Sequence, residues 1–155
     1  EANMSLLGDQ PYIDPEDWMI RTNLANRRAE ERSANLIAKE ARVSNSALFN
    51  GCRIYGTVLN SILYPGVEVG SNAIVKDSII MPDTERGDAS VVHNGIGDAD
   101  VRLGFQCALG ASSSERVPED LEAQEKLIVI GQYSELDDDS KIIPGMRIEP
   151  PLETA

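Results

Sequence analysis

Between residues 43 and 109 the apolar positions recur at a fixed interval. Val58, Val75, Val92 and Leu109 stand 17 residues apart, as do Leu63, Ile80 and Gly97, and likewise Val69, Arg86 and Leu103. Each interval divides into two six-residue steps and one of five, and the first coil shortens to 15 because the step opened by Ile54 is clipped to four. A period of this kind matches neither a 3.6-residue helix nor one long alternating strand. It predicts a triangular coil of three short strands per turn, each opened by an inward residue. A second inward set is expected four positions after each opening residue: Ala47, Cys52, Val67, Ala73, Ile79, Thr84, Ser90, Ile96, Val101 and Cys107. Alternation along a strand puts both sets on one side, and successive coils stack about 4.8 Å apart. No coil buries its own inner face, so stability comes from its neighbours. The fold class is all-β, a single-stranded β-helix of hexapeptide-type repeats.

The five-residue step has a signature of its own: Asn45-Ser46, Asn60-Ser61, Asp77-Ser78 and Asn94-Gly95. Asn, Asp and Gly tolerate the left-handed backbone of a tight corner, so stacking should align them in a ladder along one edge. A second block follows a pause. Ile130, Leu136, Ile142 and Ile148 are six apart, with Ser134, Ser140 and Met146 at the small inner positions, and they predict a closing coil. The expected organisation is a leader over 1–36, main coils over 37–110, a polar excursion over 111–126, a closing coil over 127–150 and a tail over 151–155. The excursion suggests a short helical turn over 119–124. In the leader, Trp18 is expected to pack on the first coil or its lid, since the end of a β-helix needs covering.

Two inward positions break the rule: Arg86 and Gly97 stand where an aliphatic residue belongs. The favoured reading is local. Arg86 would turn outward at a bulged corner, because burying an unpaired guanidinium costs several kcal/mol. Gly97 would leave a small void or a close backbone approach. The competing reading is a ligand or subunit contact at this level.

Composition narrows the function classes. The formal charge is −12 and no Lys/Arg-rich run occurs, which disfavours nucleic acid as a partner. No apolar stretch approaches the ~20 residues of a membrane span, and no signal-peptide pattern opens the chain. Only Cys52 and Cys107 are present, which makes no disulfide framework. A cytoplasmic protein is the economical expectation. The two cysteines lie coils apart, about 14 Å by stacking, and are expected to be buried as small apolar residues. Asp137-Asp138-Asp139 reads as a solvated turn rather than a metal site, since a run in sequence seldom converges on one ion. Metal ligands are therefore expected to be none.

Several stretches together resemble one family. Glu1-Ala2-Asn3-Met4 with Leu6-Leu7 resembles the last helix of the catalytic domain of bacterial ADP-glucose pyrophosphorylases (glucose-1-phosphate adenylyltransferases), and Asp14-Pro15, Asp17-Trp18 and Ile20-Arg21-Thr22 resemble the linker after it. Asn45-Ser46, Gly51-Cys52, Ile54-Tyr55-Gly56-Thr57-Val58, Asn60-Ser61-Ile62-Leu63 and Pro65-Gly66-Val67 are similar to its first coils. Asp77-Ser78-Ile79-Ile80-Met81-Pro82-Asp83-Thr84 and Val129-Ile130-Gly131 match as well. The resemblance implies a left-handed coil, although the general crossover rule favours right-handed connections.

It further implies a parent enzyme that joins ATP and glucose 1-phosphate into ADP-glucose and pyrophosphate for glycogen synthesis. ATP and Mg²⁺ are expected in an N-terminal catalytic domain, since no glycine-rich phosphate loop precedes a helix in this chain. Catalytic residues are thus expected to be none, with no cofactor in this piece. Its implied partners are its own catalytic domain, further copies in a homo-oligomer (a tetramer in the family) and an allosteric sugar-phosphate effector. Related enzymes commonly carry a basic residue where Gln132 stands, so Arg102, Lys126 and Gln132 are the candidate effector contacts. Leu59 and Tyr64 are plausible subunit contacts. The rival class is a hexapeptide acyltransferase using His93 as general base; a lone His following an inward Val should face solvent. The β-helix of another sugar-phosphate nucleotidyltransferase is the nearer alternative.

Overall fold

A computed structural model describes residues 4–7, 34–110 and 126–151. Trp18, the leader's capping role and the helical turn over 119–124 lie outside the described residues. Met4–Leu7 form one 3-10 turn, and the rest is a parallel solenoid of six coils. Coil 1 holds β1 (Leu36–Ile37), β2 (Arg42–Ser44) and β3 (Ala47–Leu48); coil 2 holds β4 (Arg53–Ile54), β5 (Thr57–Leu59) and β6 (Ile62–Leu63). Coil 3 follows with β7 (Glu68–Val69), β8 (Ile74–Lys76) and β9 (Ile79–Ile80), and coil 4 with β10 (Glu85–Arg86), β11 (Val91–His93) and β12 (Gly95–Gly97). Coil 5 consists of β13 (Arg102–Leu103), β14 (Ala108–Leu109) and β15 (Ile128–Ile130); coil 6 of β16 (Glu135–Leu136), β17 (Lys141–Ile142) and β18 (Arg147–Ile148).

Every third strand shares a sheet. The first sheet runs β1-β4-β7-β10-β13-β16, the second β2-β5-β8-β11-β14-β17 and the third β3-β6-β9-β12-β15-β18. The registers reproduce the sequence interval, pairing Val58 with Val75 and Val75 with Val92. Between coils 5 and 6 the offset is 33 rather than 17, as from Arg102 to Glu135, yet the register is unbroken. The extra chain leaves after Leu109 and returns at Ile128 in phase.

The corners explain the spacing. Asn45, Asn60, Asp77 and Asn94 have φ of 43°, 46°, 49° and 54°, and Gly110, one register position earlier beside His93, has φ 68°. The Asn45 amide donates to Asn60 Oδ1 (2.9 Å) and the Asn60 amide to Asp77 Oδ1 (2.6 Å), which builds the expected ladder. Inside it runs a second ladder. The backbone N–H groups of Ser61, Ser78 and Gly95 each donate to the serine hydroxyl one coil below, at 3.1 Å. The Ser61 and Ser78 hydroxyls donate in turn to the carbonyls of Leu59 and Lys76. At the clipped step a Cβ on Gly56 would run into the Ala73 carbonyl oxygen, so only glycine fits.

The serine ladder corrects the inner set at these corners. Ile79 was expected to point inward with Ala47 and Ile96, but Ser61 and Ser78 fill the inner positions, 0% and 1% exposed. Alternation is fixed by the following strand's inward residue. A five-residue step drops one residue, so its small inner position is the third after the opening and not the fourth. Ile62 and Ile79 are buried too, but belong to neither lumenal cluster, and they lie on the outer side of the third sheet.

Arg86 is the second correction. It does not turn outward at a bulge: β10 pairs without a break, Arg86 beside Val69 below and Leu103 above, and its side chain is 5% exposed. With Glu85 outward, strand alternation drives the next residue into the lumen. Gly97 sits in register between Ile80 and Ile130, and a Cβ there would find only Ile80 Cδ1, at 3.8 Å. Gly97 thus leaves room for about one methyl group and no close backbone approach. In the terminal coil Met146 is 42% exposed, because no further coil covers it among the described residues.

Candidate functional site

The three outer faces differ in chemistry. Along the first sheet, Arg53, Glu68, Glu85, Arg102 and Glu135 stack outward as a charged ladder. Arg53 lies 3.9 Å from Glu68, and Arg102 lies 3.8 Å from Glu85 and 3.3 Å from Glu135. Such exposed pairs contribute little to stability, but they decide what Arg102 can bind. It lines a depression of about 280 Å³ with Asp83, Glu85, Asp100, Tyr133 and Glu135. Four carboxylates around one guanidinium repel a phosphate.

Lys126 precedes β15 and Gln132 follows it, both half-buried, while Arg102 is on the first sheet. Six residues of chain separate Lys126 from Gln132, roughly 20 Å if extended. Gln132 directly precedes Tyr133, which lines the depression that holds Arg102.

The third sheet is outwardly apolar over coils 1 to 5, with the exposed Arg147 following in coil 6. Ala47, Ile62, Ile79, Ile96 and Val129 pair in succession to form one ridge. Beside it Phe49 and Tyr64 stack at 5.0 Å with an interplanar angle of 14°. The second sheet is mixed, with Leu59 half-buried, Ile74 39% exposed and Lys76 exposed. Periodicity alone missed the ridge, because the aliphatic residues of the five-residue step were assigned to the lumen.

His93 faces outward, half-exposed, with Nε2 3.1 Å from Asp77 Oδ2. A His–carboxylate pair suits general-base work. Here, however, Asp77 also accepts from Asn60 through its other oxygen and has Lys76 at 3.8 Å, so it serves the corner ladder. The Asp137–Asp139 run is likewise a corner. Asp138 Oδ1 accepts from the Phe105 N–H (2.7 Å), Asp139 has φ 59°, and the Asp137 carbonyl accepts from the Ser140 hydroxyl (2.6 Å). Among the described residues no group of three His, Cys, Asp or Glu is placed to hold a metal. None of their helices is long and apolar enough to cross a membrane.

Both cysteines are buried thiols outside any disulfide, with Cys52 Sγ 3.3 Å from the Tyr64 carbonyl and Cys107 Sγ 3.2 Å from that of Asp137. Burial pushes the Cys107 thiol up, away from the reactive thiolate.

Comparison with known proteins agrees with this architecture. The family described as "GlmU-like, C-terminal hexapeptide" matches residues 32–131. The glucose-1-phosphate adenylyltransferase of Acetivibrio thermocellus is 30% identical over 155 residues, covering 97% of this chain and 35% of that protein. That of Desulforamulus reducens is 30% identical over 122 residues (77% and 29%), and that of Clostridium perfringens 42% over 87 residues (55% and 21%). The chain thus spans about a third of the curated relatives it matches. Among solved structures, GDP-perosamine N-acetyl transferase from Caulobacter crescentus overlaps at 12% identity and a TM-score of 0.30, over 79% of this chain and 58% of that one, too loosely to bear on function. The likeness to the C-terminal part of glucose-1-phosphate adenylyltransferases, read first from sequence motifs, is borne out. With its hexapeptide coils, corner ladders and matched span, the chain belongs to the family of GlmU-like C-terminal hexapeptide domains.

Proposed function

We propose that this chain is the C-terminal assembly and regulatory β-helix of a cytoplasmic glucose-1-phosphate adenylyltransferase. The parent would join ATP and glucose 1-phosphate into ADP-glucose and pyrophosphate for glycogen synthesis. ATP and Mg²⁺ would be bound by the catalytic part of that parent, and this chain alone would not turn over. The observation that carries the reading is the outer ridge Ala47-Ile62-Ile79-Ile96-Val129. Ile62 and Ile79 are already covered within the chain (1% and 8% exposed), and the half-buried Ala47, Ile96 and Val129 leave aliphatic surface suited to packing against a neighbour. That neighbour is the parent's own catalytic domain or another subunit of a tetramer. A sugar-phosphate effector would have to approach Lys126 or Gln132, since Arg102 is surrounded by carboxylates.

Light scattering on the full chain tests the assembly role. An oligomer is expected, reduced to monomer by Ile96→Glu while the β-sheet circular dichroism is kept. A strict monomer at high concentration would count against it, as would ADP-glucose synthesis by the chain alone. The Asp77–His93 contact favours one alternative, a hexapeptide acyltransferase. Acetyl-CoA turnover that disappears in His93→Ala would establish that reading instead.

A further inference from the structure

Coil 4 is built differently inside. The inward strand residues are Ile54, Val58 and Leu63 in coil 2, Val69, Val75 and Ile80 in coil 3, and Leu103, Leu109 and Ile130 in coil 5. In coil 4 they are Arg86, Val92 and Gly97, so both exceptions to the repeat fall on one level. Its corner positions are Thr84, Ser90 and Gly95, where coil 3 has Val67, Ala73 and Ser78. The apolar core accordingly divides: one cluster runs from Cys52 to Ile80, the other from Val92 to Ile130.

The polar groups of this level are not equally satisfied. The Thr84 hydroxyl donates to the Asp98 carbonyl (3.0 Å) and the Ser90 hydroxyl to that of Gly104 (2.8 Å). Arg86 Nε and Nη1 are fully buried with no hydrogen-bond partner, and no carboxylate among the described residues pairs with them. Gly97 leaves room of about one methyl group in the lumen, since a Cβ there would meet Ile80 Cδ1 at ordinary contact distance, 3.8 Å. A buried cation without a counter-charge and a position with room for about one methyl group therefore share one coil.

We propose that the lumen of coil 4 is a binding site for one small monovalent inorganic anion of chloride's size, held by the Arg86 guanidinium in the space left by Gly97. Burial alone lowers the Arg86 pKa to about 9, as expected of a charge held away from water. An anion supplies the missing acceptor and the missing charge together. A water molecule would supply only the acceptor. Phosphate and carboxylate ligands are bulkier and would have to displace the aliphatic residues of coils 3 and 5.

Thermal unfolding of the full 155-residue chain in sodium chloride, against sodium gluconate at equal ionic strength, is the test. Wild type should gain about 3–5 °C in Tm for each tenfold rise in chloride above half-saturation. The gain should vanish in Arg86→Met and in Gly97→Val, which fills the space. A chloride dependence that survives both substitutions would overturn the site. Where the variants fail to fold or wild type is flat, bromide-soaked crystals of wild type decide. An anomalous peak beside Arg86 supports the site, and a density without anomalous signal means water and overturns it.

Discussion

Arg86 shows what one residue can do against its own desolvation. Its partners Val69 and Leu103 hold it inward, and removing the charge should help the fold. Arg86→Met is expected to stabilise the chain by about 1–4 kcal/mol at neutral pH in halide-free buffer, read from urea unfolding. The advantage depends on pH in a fixed sense. The folded-state pKa is lowered from the usual guanidinium range to about 9, so below about 9 folded and unfolded chains both carry the proton. Between the two values the unfolded chain still holds a proton the folded one has released, and wild-type stability rises with pH. The gap between Arg86→Met and wild type should therefore narrow above pH 9; a gap that stays constant to pH 11 would contradict this. The sequence marked both Arg86 and Gly97 as exceptions but did not reveal the side chain's direction. That direction depends on an unbroken register, in which the outward Glu85 turns the next residue inward.

At the scale of elements, the corners set the period. Asn60 accepts from Asn45, donates to Asp77 and holds φ 46°. Asn60→Ala loses both bonds and puts a Cβ in the left-handed region, for a destabilisation of about 2–3 kcal/mol. Asn60→Gly loses the bonds alone and should cost about 1 kcal/mol. Urea midpoints of the two variants separate backbone strain from hydrogen bonding, and equal losses would remove the strain argument. The ladder was legible because Asn, Asp and Gly at one recurring offset have a shared backbone reason. The orientation of Ile79 was not, since a rule derived from six-residue steps fails by one residue in a step of five. The Ser46-to-Ser78 hydroxyl ladder carried the signal: a recurring Ser beside each corner Asn or Asp.

For the whole molecule, the solenoid presents three chemically distinct walls, charged, mixed and apolar. Coil number and stacking order could be taken from the 17-residue interval. The fate of Arg102 could not, because Glu85 and Glu135 reach it from the coils on either side. The division of the core at coil 4 also has a mechanical meaning. A stack of identical layers should transmit load evenly, but this one has a plane across which aliphatic interlocking is interrupted. Native-state hydrogen exchange should show the amides of coils 2 and 3 opening as one block and those of coil 5 as another, with different free energies. A single common opening energy would argue for uniform cohesion. Pulled along its axis, the rod should cleave first at that plane, and any molecule seated beside Arg86 would act as mortar between two halves able to yield separately.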